Sequence, residues 1–157
     1  DPIKRYVHLD LGYNYRMTNL QAAIGFSQLE VINKILKRRN NQMLLYKKLL
    51  SQINEIKVRS FKKWCSSVHW MTTITVFKKN LRNKLIYFLL DEGVDARPMI
   101  YPVHQAYHFK KHFDDKNFKN SINISKSSLH LPSSTYLSTS EIKFICNKVK
   151  LFFKRNH

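Results

Sequence analysis

Apolar positions along this chain follow two periods, and the places where one gives way to the other mark out its elements. From Thr18 onward, Leu20, Ala23, Ile24, Val31 and Ile35 fall near one helical stripe, and Leu44, Leu45 and Leu49 extend it past a basic interval. Thr18-x-x-Gln21 has capping-box spacing, in which the hydroxyl accepts from an early backbone N–H and the amide reaches back to the cap. The pattern predicts a long helix from Thr18 to about Gln52, broken once. Between Val68 and Phe77 the period drops to two, with Val68, Trp70, Thr72, Ile74 and Val76 on one face, which predicts a strand. Leu81, Leu85 and Leu89 restore the helical period over Leu81–Glu92, and Gly93 stands where a left-handed cap belongs. Val94–Tyr101 reads as extended and stops at Pro102, while Ser128–Leu131 reads as a short strand ended by Pro132. Ser138-x-x-Glu141 is a second capping box, followed by the stripe Ile142, Ile145, Val149 and Phe152. His104–Phe118 has no clean period and reads as loops with a short helix. Asp1–Met17, with Pro2 and Gly12, reads as an extended lead-in. The expected fold class is therefore α/β, a long helix plus a small sheet of about three strands covered by helices.

Composition narrows this picture. The 157 residues, 43% apolar, suit one compact domain with a real core and do not resemble a disordered chain. No run of about 18 apolar residues occurs, which excludes a membrane-spanning helix. The chain begins at Asp1 without a methionine or an apolar leader, so a start inside a longer protein is expected. Cys65 and Cys146 are unpaired in spacing and read as free, buried thiols in a reducing cytosol, giving a cytoplasmic expectation. The net charge of +18 admits a basic nucleic-acid-binding module, because lysine and arginine displace counterions from phosphates. The basic residues are scattered over every segment, however. Even the densest stretch, Lys34 to Lys48, lies on one amphipathic helix. Compositional bias accounts for that pattern as well as a nucleic acid does, and no nucleic-acid partner is expected. A diphosphate-bearing substrate would also be drawn to a positive surface.

Little in the spacing looks catalytic. Gly12, Gly25 and Gly93 are isolated and build no phosphate loop. His104, His108 and His112 are four apart, but no cysteine or acidic ligand is placed beside them, and no metal is expected. Two clusters remain. Tyr13-Asn14-Tyr15-Arg16 lies just ahead of the Thr18 cap, where backbone N–H groups and the helix dipole favour an anion. Asn14 adds amide donors and Arg16 a planar fork. The same residues also fit a structural lead-in, with Asn14 in a turn and Arg16 on the surface. Around Asp95-Ala96-Arg97-Pro98-Met99-Ile100-Tyr101-Pro102-Val103-His104-Gln105, two prolines stiffen a strand end. There Arg97, Tyr101 and His104 either meet a polar ligand, or Arg97 pairs with an acid such as Asp95 while the other two pack.

The run Gly12-Tyr13-Asn14-Tyr15-Arg16-Met17-Thr18-Asn19-Leu20-Gln21-Ala22-Ala23-Ile24-Gly25 closely resembles a signature of the DegT/DnrJ/EryC1/StrS aminotransferases. The likeness continues through Gln28-Leu29-Glu30, Gly93 to Pro98, Tyr101-Pro102, His104, Leu131-Pro132-Ser133 and the Ser140-Glu141-Ile142 helix, essentially the whole chain. These are fold-type I enzymes that use pyridoxal phosphate (PLP) on nucleotide-linked keto sugars. Arg-Pro-x-x-Tyr-Pro-x-His is most similar to the perosamine-synthase branch, which aminates a GDP-linked 4-keto-6-deoxy sugar with glutamate as donor.

The resemblance implies that this chain is the small C-terminal domain of such a transferase. Residues 1–17 would lead in from a large PLP-binding domain, and residues 18–157 would form the small domain with its long connecting helix. It implies a homodimer in which Asn14 reaches the cofactor phosphate of the partner subunit. Arg16 would lie near the nucleotide sugar, and Arg97, Tyr101 and His104 would line the substrate side. No catalytic residue is expected within the chain. The family's cofactor lysine belongs upstream of Gly12, and no lysine here follows a Ser-x-x-Lys pattern leading to a Gly-Glu-Gly turn. Without that lysine the chain alone is expected to be inactive. A sugar dehydratase of the same family, with histidine at the lysine position, is the rival reading.

Overall fold

The computed structural model describes residues 2–62 and 64–156; Asp1 of the expected lead-in lies outside them. The expected long helix is two: α1 (Asn19–Leu29) and α2 (Ile32–Leu50), broken at Glu30–Val31. They are followed by β1 (Ile56–Val58), β2 (Thr72–Val76), α3 (Lys79–Asp91), β3 (Arg97–Pro98), α4 (Lys119–Ser127), β4 (Ser128–Leu131) and α5 (Thr139–Arg155). The strands form one antiparallel sheet in the order β1-β2-β4-β3, four strands among the described residues where about three were expected. The unforeseen strand is β1, whose Ile56 and Val58 pair with Val76 and Ile74.

Both capping boxes form. Thr18 Oγ1 accepts from the Gln21 N–H, and Gln21 Oε1 accepts from the Thr18 N–H at 2.8 Å. Ser138 and Glu141 repeat the arrangement at the start of α5. At the end of α3, Gly93 takes φ +76°, its N–H bonds to Leu90 O, and the Val94 N–H bonds to Leu89 O at 2.7 Å. That pair of bonds closes a Schellman motif, and the left-handed residue is the glycine expected there.

Register explains how the sheet divides its side chains. Ile56, Thr72, Ile74, Val76, Leu129 and Leu131 share the face that meets the helices, and all are buried. Tyr46 and Leu50 of α2, Leu85 and Leu89 of α3, and Ile142, Cys146 and Val149 of α5 complete that core. Tyr46 is wholly enclosed but keeps its hydroxyl satisfied by donating to Pro132 O at 2.8 Å. Burial raises the pKa of that hydroxyl far above the ordinary phenol value. The opposite face is polar: Lys57, Thr75 and Ser128 in one row, Thr73, His130 and Arg97 in the next.

Three expectations need correction. The strand begins at Thr72, not Val68, because His69 adopts φ +48° and Val68 and Trp70 point outward. Arg39 Nη1 instead takes the Trp70 carbonyl at 2.7 Å. Within Val94–Tyr101 only Arg97–Pro98 pairs as strand. Of the thiols, Cys146 is buried, with its pKa pushed up to about 12 by that burial, whereas Cys65 is exposed. No helix among the described residues is long and apolar enough to cross a membrane.

Candidate functional site

The Asn14 cluster sits in a segment whose residues are exposed from Val7 to the end of α1. Asn14 Oδ1 accepts from the Arg16 N–H at 2.8 Å, and Arg16 is held at φ +74°, a left-handed conformation uncommon for a non-glycine residue. This turn leaves both amide hydrogens of Asn14 unspent and places the exposed Arg16 guanidinium two residues before the α1 cap. The cap consumes the Thr18 and Gln21 N–H groups, so the dipole's donors there reduce mainly to Asn19 and Leu20. Tyr13 and Tyr15 stand out at 72% and 89% exposure. Helix α1 buries no residue at all, and Leu20, Ile24, Phe26 and Leu29 lie bare on it.

Arg97, Tyr101 and His104 are set by the β3 strand and the proline-stiffened loop after it, but they open onto three different cavities. Arg97 is pinned to Asp95 by Nε at 3.1 Å and Nη2 at 2.8 Å, and Asp95 is shared with Arg5 at 3.2 Å. The hydrogen bond to Asp95 is the main reason its pKa is raised above the ordinary guanidinium value. Arg97 thus adopts the ion pair that sequence left open, and its half-exposed outer edge lines a cleft with His130, Ser133 and Met71. Tyr101 lines a second cleft beneath the lead-in, together with Arg82 and Lys126. His104, on a 3-10 turn over Val103–Gln105, is buried and stacked on Phe118 with ring centroids 4.3 Å apart. Its Nε2 lies 3.4 Å from Asp115 Oδ1, while Gln105 Nε2 donates to Asp115 Oδ2 at 2.9 Å. Phe109, Phe113 and Phe118 build the third, apolar cavity around it. Only short turns run from Val103 to Phe118, so His104, His108 and His112 share no helical face.

Sequence reasoning passed over His130 and Arg82. His130 is buried, with Nδ1 3.0 Å from Thr73 Oγ1 and Nε2 lacking a partner. Burial, and then the charge of Arg59, lowers its pKa below 6.5. The alternation Leu129-His130-Leu131 is the one signal that places it on the polar face. Arg82 carries no such signal, since a lone arginine among helical leucines reads as solvated.

The α/β fold, a four-stranded antiparallel sheet packed on helices, recurs in part of solved aminotransferase structures. The PLP form of Spr1654 from Streptococcus pneumoniae superposes with a TM-score of 0.80 at 22% identity, over 89% of this chain and 36% of that one. The family model for the DegT/DnrJ/EryC1/StrS aminotransferase family matches residues 1–150, and the chain belongs to that family. It is 34% identical to the GDP-perosamine synthase of Vibrio cholerae over 155 residues, covering 96% of this chain and 41% of that protein. The GDP-perosamine synthase of Escherichia coli O157:H7 is 29% identical, with 96% and 40% covered. The chain therefore spans about two fifths of the length of these relatives.

Proposed function

We propose that this chain supplies the C-terminal part of a PLP-dependent aminotransferase that moves an amino group from glutamate to a GDP-linked 4-keto-6-deoxy sugar. Residues 1–17 serve as the lead-in from a large domain and residues 18–157 as the small domain. The working enzyme is a cytoplasmic homodimer. The observation that carries the reading is the exposed Asn14–Arg16 turn ahead of a capped helix with a bare apolar face, in a chain matched by the family over residues 1–150. A phosphate fits Asn14: the amide offers neutral donors, and its own oxygen is already occupied by Arg16 N–H. When bound, PLP carries the amino group between donor and keto sugar.

The chain's own residues then bind and orient. Asn14 holds the cofactor phosphate of the partner subunit, and Arg16 offers its fork to the sugar nucleotide. Asp95 fixes the plane of Arg97 so that the outer guanidinium edge meets substrate with less side-chain entropy to lose at binding. His104 is locked against Phe118 and Asp115, which suits it to shape the pocket wall, and Tyr101 presents a hydroxyl at the neighbouring cleft.

The test uses the chain alone and the chain joined to a family large domain, each given PLP, glutamate and the GDP-linked keto sugar. The joined protein forms the amino sugar and the chain alone forms none. Asn14→Ala in the joined protein weakens PLP retention about tenfold or more, the loss of one hydrogen bond to a charged group. Amino-sugar formation by the chain alone, or full PLP retention by Asn14→Ala, overturns the assignment.

A further inference from the structure

The cleft under the lead-in gathers four basic side chains, of which only Arg5 has a carboxylate partner among the described residues. It encloses about 220 Å³, and its walls include Lys4, Arg5, Arg82 and Lys126, with Tyr101 and Gln105 beside them and, among the described residues, no carboxylate on its lining. Arg82, in the first turns of α3, is only 9% exposed. Its Nε donates to Lys126 O at 3.1 Å and Nη2 to Ser125 O at 3.4 Å, while Nη1 is buried without any partner. Two carbonyls at the end of α4 offer a fraction of a negative charge, about half an elementary charge at most. An enclosed guanidinium normally has a full counter-charge, and leaving one of its donors orphaned costs desolvation that nothing among the described residues returns. Burial accordingly lowers the Arg82 pKa.

We infer that this cleft is a phosphate-recognition site, with Arg82 as its floor and Lys4, Arg5 and Lys126 as its rim. Convergent cations match the two negative charges of a phosphate better than the single charge of a carboxylate, and Arg82 keeps one donor, Nη1, unspent for a phosphate oxygen. The volume sets the size of the group: ligand pockets for drug-sized molecules run to about 300–1,000 Å³. A cleft of 220 Å³ falls below that range and suits a small anionic group such as a phosphate. Ser125 Oγ donates to Ile100 O at 3.1 Å, tying α4 to the loop that carries Tyr101, so the floor and the wall are built as one piece. The site is a property of this chain's own residues and does not rest on the aminotransferase reading.

Isothermal titration of the full chain at low salt tests it, with inorganic phosphate, GDP and glutamate as separate titrants. Saturable phosphate binding is expected, weakened about tenfold in Lys126→Gln or Lys4→Gln and unchanged in Lys143→Gln outside the cleft. Arg82→Gln is expected to abolish it. Arg82 also caps α4, so the two rim variants carry the test if that protein fails to fold. Binding of inorganic phosphate but not GDP identifies a free phosphate as the occupant, and tighter binding of GDP identifies the phosphate end of a nucleotide. No saturable phosphate binding, glutamate binding as tightly as phosphate, or equal loss in Lys143→Gln overturns the site.

Discussion

Thr73 Oγ1 and His130 Nδ1 meet at 3.0 Å on the polar face of the sheet, and the rest of the imidazole is enclosed. Burial first, and the Arg59 charge second, hold its pKa below 6.5. An unfolded chain protonates this residue near its ordinary value, while the folded chain resists protonation until lower pH. Between those two values the unfolded state binds the extra proton, so stability present above the unfolded pKa is lost as pH falls through the window. His69, also lowered by burial, acts in the same direction. Unfolding free energies from urea titrations between about pH 7.5 and about pH 5 should therefore fall for the native chain, by at most about 1.4 kcal/mol per pH unit for each such histidine. They should fall less steeply for His130→Gln, which keeps a polar partner for Thr73. Parallel slopes for the two proteins would show that His130 is protonated as readily in the fold as outside it.

The two capping boxes are chemically alike and sit on very different helices. Ser138 starts α5, which buries Ile142, Ile145, Cys146, Val149, Phe152 and Phe153, so the loss of its cap is felt by the whole core. Thr18 starts α1, which buries nothing. Ser138→Ala should lower global stability by about 1 kcal/mol in denaturant unfolding. Thr18→Ala should leave the global midpoint in place and speed amide exchange only in α1. Equal shifts from both variants would mean that α1 packs in solution against something within this chain. These helices were legible in the sequence because capping and the 3.6-residue period are local signals. What escaped depends on distance along the chain. Strand β1 has three residues and exists through its pairing with β2, and α4, with apolar Ile122 and Ile124 only, shows almost no stripe. Alternation over Val68 and Trp70 persisted where a left-handed His69 had already ended the strand. At the candidate site, residue identities were readable, but the division of Arg97, Tyr101 and His104 among three cavities was not. That division follows from the register of β3 and the turn after Pro102.

At the scale of the molecule, apolar surface is distributed unevenly. Core side chains of the sheet and of α2, α3 and α5 are almost fully enclosed. Val7, Leu9, Leu11, Tyr13, Tyr15 and Met17, by contrast, lead into an α1 whose Leu20, Ile24, Phe26 and Leu29 are each at least 60% exposed. Burying one such side chain is worth about 1.5–3 kcal/mol, so a shared contact among several outweighs the cost of bringing two chains together. The net charge of +18 opposes that contact at low salt and is screened within about 8 Å at physiological ionic strength. The isolated chain is therefore expected to self-associate, more strongly as salt is raised, in sedimentation velocity across a concentration series. Leu20→Lys together with Phe26→Lys should return it to a monomer with an unchanged unfolding midpoint, because neither side chain touches the core. Fusion to a large domain that covers α1 should suppress the salt-dependent association in the same way. A native chain that stays monomeric at every salt and concentration would show that α1 needs no cover, and it would remove the bare helix face from the case for a missing domain.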